Sequence, residues 1–205
     1  MLSLRSLLTT SICTASLITI STSATADNLL QNASFEDEVN EAWILVDAPI
    51  KPWGDKAITG TNAAWIQTFQ SNTSITQTVD VLENTSYQFD ANLLYEARVN
   101  TITDLVGKLF IEWYNNDALL STDTSALTTP ASANVYDAYS LVATAPATSN
   151  AAKVGLSFTH SGTQVFGGEL SVFGDDFAFD TVAIPEPASL ALLGIAGLAL
   201  LNRRK

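Results

Sequence analysis

The chain of 205 residues contains one cysteine and one histidine. The cysteine, Cys13, sits inside the first apolar stretch, so everything after it is free of thiols. That excludes disulfides, Cys-ligated metals and a cysteine nucleophile from the body of the protein. A lone His160 likewise excludes multi-histidine zinc sites and Cys–His catalysis. Positive charge is scarce, with nine Lys and Arg against 21 Asp and Glu. Arg5, Arg203, Arg204 and Lys205 occupy the chain ends. Lys51, Lys56, Arg98, Lys108 and Lys153 then face acids that all lie between Asp27 and Glu186, a net of −16 for that stretch. Binding nucleic acid needs a basic footprint, and this body has none. No G-x-S-x-G elbow accompanies His160, and no uninterrupted apolar run reaches the roughly 20 residues that cross a bilayer.

What the chain does have is concentrated first at its ends. Met1 to Arg5 is a short basic segment, residues 6–20 are moderately apolar, and Ala24-Thr25-Ala26 precedes Asp27. This is the pattern of a secretory signal peptide over residues 1–26. At the other end, Pro185-Glu186-Pro187-Ala188-Ser189 is followed by the uncharged run 190–201, and then by Arg203, Arg204 and Lys205. Basic residues beside an apolar span favour the cytoplasmic side. The expected precursor is therefore exported, with a C-terminal transmembrane helix in the inner membrane.

The order of these three parts resembles the PEP-CTERM sorting signal: motif at 185–187, helix at 188–201, basic end at 203–205. In that family the tail implies recognition and cleavage by an exosortase-type membrane enzyme, in bacteria that make extracellular polysaccharide. The mature domain would then be periplasmic, cell-surface or extracellular.

Between the signals, residues 27–182 form a stretch of single-domain size. No helical period persists there. Alternation bounded by Asn, Asp, Gly, Ser and Thr predicts strands at 29–35, 43–46, 63–69, 74–81, 86–96, 107–114, 136–143, 152–159 and 170–180. Ser121 to Ala133 reads as a connection. An all-β, two-sheet jelly-roll sandwich is the expected fold.

Parity within strands separates core from surface. Tyr87, Phe89, Ala91, Leu93 and Tyr95 share one face, as do Leu109, Ile111 and Trp113, and these are assigned to the core with Trp43 and Trp65. If the two strands pair, Asp90, Asn92, Glu96, Arg98, Lys108, Glu112 and Tyr114 share an outer face. Such a face suits solvent, or sugar hydroxyls that need carboxylate, amide and guanidinium partners. Trp53, between Pro52 and Gly54, is the best loop aromatic for stacking on a sugar ring. Trp53, Glu96, Arg98, Glu112 and Tyr114 are therefore the carbohydrate-binding candidates. His160 is expected in an exposed turn. In the last strand Leu170 and Val172 have one parity and Phe177 and Phe179 the other, so a bulge is expected at Gly174-Asp175-Asp176, with Gly174 permitting the kink.

Five segments in order carry a second resemblance: 28–36 (NLLQNASFE), 74–81 (SITQTVDV), 84–89 (NTSYQF), 136–146 (YDAYSLVATAP) and 174–179 (GDDFAF). Together they resemble the galactose-binding-like jelly roll of carbohydrate-binding modules. That resemblance implies a structural calcium where the first and last strands meet, held by Glu36, Asp175 and Asp176. The alternative is that the paired acids satisfy backbone groups at the bulge. No motif selects a carboxylate pair of the kind glycoside hydrolysis requires. The expected function is a non-enzymatic, exported protein associated with extracellular polysaccharide. A matrix or adhesion protein without a specific glycan site, and a small glycan-active hydrolase or lyase, stand as alternatives.

Overall fold

The computed structural model describes residues 27–37, 41–130, 132–161 and 167–182. The expected signal peptide, the motif Pro185, Glu186 and Pro187, the helix and the basic end lie outside the described residues. Among those described, no helix is long and apolar enough to cross a membrane.

The described chain forms ten strands: β1 (Ile44–Val46), β2 (Ile50–Lys51), β3 (Ala63–Ile66), β4 (Asn72–Asp80), β5 (Ser86–Tyr95), β6 (Val106–Asn115), β7 (Ala118–Leu127), β8 (Tyr136–Thr144), β9 (Ala151–Thr159) and β10 (Val172–Thr181). One 3₁₀ turn, Val99–Thr101, follows β5. The strands build two five-stranded sheets, with order β1-β4-β9-β6-β7 in the first and β2-β3-β10-β5-β8 in the second. Every pairing is antiparallel. This is the jelly-roll sandwich that the alternation predicts.

The core fills the space between the sheets. Tyr87, Phe89, Ala91, Leu93 and Tyr95 of β5 face Leu109, Ile111 and Trp113 of β6, and Ala152, Val154, Leu156 and Phe158 of β9 join them. Trp113 is fully buried and donates its Nε1–H to Asp123 Oδ2 at 2.7 Å, which satisfies a polar group that burial would otherwise leave unpaired.

The bulge in β10 is present. Asp175 pairs Asn92 and Ala178 pairs Asp90, so β10 carries one extra residue. The left-handed residue is Asp176 (φ 48) rather than Gly174. Gly174 serves a different need, because a Cβ there would sit 2.8 Å from Phe177 Cζ. Past the bulge, Phe177 turns into the core, with ring centroids 5.2 Å from Phe35, 5.7 Å from Trp43 and 6.0 Å from Phe89.

Several expectations are corrected. Residues 29–35 do not form a strand but turn through left-handed Asn32 and Phe35 (φ 47 and 60). The segment still delivers Leu30 and Phe35 to the core. The expected connection at 121–133 contains most of β7. That edge strand sets small polar residues toward the sandwich, where apolar alternation cannot betray it. β5 and β6 do not pair; they lie in opposite sheets, so their outer faces look away from each other. His160 is buried (6 % exposed), with its N–H on Ser71 O and Nε2 at 3.2 Å from Phe69 O. Trp65 is only partly buried and belongs to a small cluster on the outside of the second sheet.

Phe177→Ala removes a ring fully buried among three aromatic neighbours. It should cost about 3–5 kcal/mol, read as a lowered urea midpoint; a loss under about 1 kcal/mol would show that the bulge does not serve the core.

Candidate functional site

Residues after β5 hold the chain together at one end of the second sheet. Glu96 Oε2 accepts the Ser171 N–H at 2.9 Å, and the Glu96 N–H returns a bond to Ser171 O at 3.0 Å. Arg98 donates Nη1–H to Gly168 O at 3.2 Å. Both side chains therefore pin residues 168–171 rather than face a ligand with Glu112 and Tyr114, which lie on the other sheet. Trp53 stands in the loop 52–62, which folds over the outside of the second sheet. It is 37 % exposed, with its ring 4.9 Å from Trp65 and 5.3 Å from Phe173. The Tyr136 hydroxyl, whose pKa burial raises, anchors the same loop by donating to Lys56 O at 2.5 Å.

Glu36, Asp175 and Asp176 converge on that loop as well. Glu36 accepts the Asn62 N–H at 2.6 Å and the Thr61 N–H at 3.0 Å. Asp175 Oδ2 accepts the N–H groups of Ile58 (2.6 Å) and Thr59 (3.1 Å), and its Oδ1 accepts that of Asp176 (2.8 Å). Asp176 Oδ1 accepts the Thr59 hydroxyl at 2.8 Å. Gly60 (φ 62) is needed where Glu36 crosses, because a Cβ there would lie 2.2 Å from the Glu36 carboxyl carbon. The three acids thus meet hydrogen-bond donors, and among the described residues no group of three or more His, Cys, Asp or Glu is arranged to hold a metal. Calcium wants six to eight oxygens with free lone pairs, and amide hydrogens aimed at these carboxylates do not fit that demand. In this geometry the carboxylates act as hydrogen-bond acceptors for the loop 52–62.

The other three-dimensional grouping lies on the outer face of the first sheet. Antiparallel register sets its side chains in rows across the strands. One row runs Val46, Ser74, Ser157, Lys108; the next runs Ile44, Thr76, Gly155, Phe110; a third carries Thr78, Lys153, Glu112. At the centre Gly155 offers no side chain, and a Cβ there would lie 2.2 Å from Ile75 O. Around these rows lies a groove of about 360 Å³ lined by ten residues, among them Ile44, Asn72, Ser74, Thr76, Ser157 and Glu112. Ile44 and Val46, 63 % and 40 % exposed, make an apolar wall. Opposite, Phe110 lies beneath the ammonium groups of Lys108 and Lys153, at 5.7 and 6.0 Å from its centroid. Glu112 Oε2 takes Lys153 Nζ at 3.2 Å and the Tyr114 hydroxyl at 2.8 Å, and that bond pushes the tyrosine's pKa up.

A larger hollow of about 490 Å³ lies by Leu29, Gln31, Glu41 and Gln77 to Asp80. Its buried amide is already spent, since Gln31 and Gln77 exchange bonds of 2.8 and 2.9 Å. It offers neither an aromatic ring nor a cation. The groove on the first sheet is therefore the better site. Of the expected carbohydrate candidates it unites Glu112 and the neighbouring Tyr114, and leaves Glu96, Arg98 and Trp53 elsewhere. Lys153, Ser157, Ser74 and Ile44 were not foreseen, because only the strand order β1-β4-β9-β6 brings them together.

Comparison with known proteins bears on both ends of this description. Residues 183–205 match the family model described as the PEP-CTERM protein-sorting motif. A search of the curated proteins found no match. Among solved structures, the chain is similar to the enzymatically active domain of tailspike protein 4 from bacteriophage CBA120 (TM-score 0.55, 12 % identity), covering 76 % of this chain and 21 % of that one. The chain thus spans about a fifth of that domain's length. It is also similar to an apo-form cyclase from Fischerella sp. (TM-score 0.53, 17 % identity, 80 % of this chain and 100 % of that one). A third similarity is to a family 16 carbohydrate-binding module-2 (TM-score 0.51, 15 % identity, 74 % and 99 %). At these identities the likeness is one of fold: the jelly roll of carbohydrate-binding modules.

Two outcomes follow. The backbone N–H groups of the loop hold the Glu36 pKa below its ordinary value of 4.5. A depressed folded-state pKa contributes stability that is present above the unfolded value and lost as pH falls through the folded one. Glu36→Gln should therefore melt below wild type at pH 7, by about 1 kcal/mol after discounting for exposure. The gap should close below pH 4, and a gap constant with pH would refute the clamp. Gly155→Ala should lower stability by about 1–3 kcal/mol, because the methyl meets immovable backbone; an unchanged melting temperature would show that the strands there have room to part.

Proposed function

We propose that this chain is an exported, non-catalytic glycan-binding β-sandwich, and that the groove on the outer face of the first sheet is its sugar site. The observation that carries this reading is the chemistry of the groove. A sugar ring presents C–H faces and a rim of hydroxyls, so its site needs apolar walls and convergent polar groups. Ile44, Val46 and Phe110 supply the walls, and Ser74, Thr76, Ser157, Asn72 and Glu112 supply the partners. The fold shared with carbohydrate-binding modules supports the same reading.

Absence of catalysis is supported by the lining itself. Glycoside hydrolysis uses two carboxyl groups at a set separation. Glu112 is the one acid among the ten lining residues, and Lys153 and Tyr114 already occupy one of its oxygens. The sorting motif at 183–205 supplies delivery. In this reading an exosortase-type enzyme trims a membrane-anchored precursor, leaving the domain among extracellular polysaccharide. The clamp of Glu36, Asp175 and Asp176 keeps the loop 52–62 folded through hydrogen bonds to its backbone and to Thr59.

Retention on a panel of insoluble and soluble polysaccharides tests the site. Full-length chain purified in mild detergent should be retained on at least one glycan, with or without a chelator. Ser157→Trp, which fills the groove, should abolish retention, and Trp53→Ala, on the far side of the sandwich, should leave it intact. The reverse pattern would move the site to the second sheet, and no retention at all would remove the glycan reading. For delivery, replacing Pro185-Glu186-Pro187 by alanines should stop trimming in a host with an exosortase, seen as the uncut chain in membranes.

A further inference from the structure

The groove is unusual for its charge in so acidic a chain. Between Asp27 and Glu186 there are 21 acids and only five basic residues, and two of those five, Lys108 and Lys153, line the groove. One acid, Glu112, lines it with them. Lys153 and Glu112 satisfy each other at 3.2 Å, and Tyr114 completes the carboxylate's bonding. Lys108 takes part in no ion pair among the described residues. Its ammonium is exposed, and the face of Phe110 is the neighbour that holds it over the groove. Such a cation–π contact orients a lysine without consuming its three N–H donors. Beside it in register stands Ser157, and beyond that Ser74, so a hydroxyl row leads directly to the cation.

A neutral sugar gives such an ammonium little to do, since hydroxyls are served equally well by serine, threonine and asparagine. An anionic group on the sugar meets it with a charge-assisted bond, about twice as strong as a neutral one. The chain's net negative charge does not forbid this approach. At physiological salt, charges more than about 8 Å apart are largely screened, and at the groove two ammonium groups stand against one carboxylate. We infer that the groove selects an acidic polysaccharide, whose carboxylate or sulfate pairs with Lys108 while its ring lies between Phe110 and Ile44. This rests on the groove being a sugar site.

Affinity electrophoresis of the full chain in mild detergent separates the possibilities. Three gels contain polygalacturonate, the same polymer with its carboxyls reduced to alcohols, or a sulfated galactan. Retardation is expected with at least one charged polymer and not with the reduced one, and it should weaken as salt is raised. Retardation by one charged polymer alone identifies carboxylate or sulfate as the group read. Lys108→Gln should weaken binding about tenfold and Lys108→Arg should retain it, with melting temperatures unchanged because the side chain is exposed. Equal retardation by the charged and reduced polymers, or a Lys108→Gln variant that binds as wild type does, would overturn the charge selection and leave a neutral sugar site standing. No retardation by these or by a panel of neutral glycans would overturn the sugar site itself.

Discussion

A strand that changes parity partway along must expose its later apolar residues or carry an extra one. β10 is that strand, and the rest of the structure depends on how it resolves the conflict. It lies at the centre of the second sheet, between β3 and β5, so it cannot shift without breaking both ladders. The extra residue between Asp175 and Ala178 lets Val172, Phe177 and Phe179 all face inward. Without it Phe177 and Phe179 would point to solvent, because a one-residue slip sends every later side chain to the other face. The same bulge holds Asp175 outward, where burial raises its pKa and three backbone N–H groups from Ile58, Thr59 and Asp176 restrain that rise only in part. One irregularity therefore closes the core on one side of the sheet and secures the loop 52–62 on the other.

The two outer faces then receive different fates. The second sheet has aromatic residues outside, Trp65 and Phe173, and covers them with the loop that carries Trp53 and Lys56. Among the described residues the first sheet presents serine, threonine and lysine around its groove. Gly155 is demanded by the close approach of β4, where a Cβ would lie 2.2 Å from Ile75 O. The polar surface that reads as a single sugar-facing patch along β5 and β6 divides into two, since the strands lie on opposite sides of a core about 10 Å thick.

Much of the core was legible because burial writes itself into period-two alternation. Trp113, Phe89 and Leu109 are placed correctly by parity alone, and so is the bulge, since Phe177 contradicts Val172 in one strand. β7 was not legible. As an edge strand it meets the sandwich through Asp123, Ser125 and Leu127, and Asp123 holds its inward position by accepting the Trp113 N–H. His160 misled for a related reason: a turn residue reads as exposed, yet its neighbours Phe69 and Ser71 come from a distant segment and bury it. The acids Glu36, Asp175 and Asp176 all bond the loop 52–62, which lies more than a hundred residues from the bulge and leaves no local signature.

What the sequence alone determined is what local chemistry and charge can state. It determined a thiol-free acidic body, an address at its C-terminus and strands whose alternating faces demand a sandwich. Which strands become neighbours is decided by long-range pairing, and that is a property of the folded chain. Lys108 and Lys153 are 45 positions apart and carry no mutual pattern. Only antiparallel register between β6 and β9 sets them on either side of Phe110. The groove exists because strand order converts separation along the chain into adjacency across a sheet.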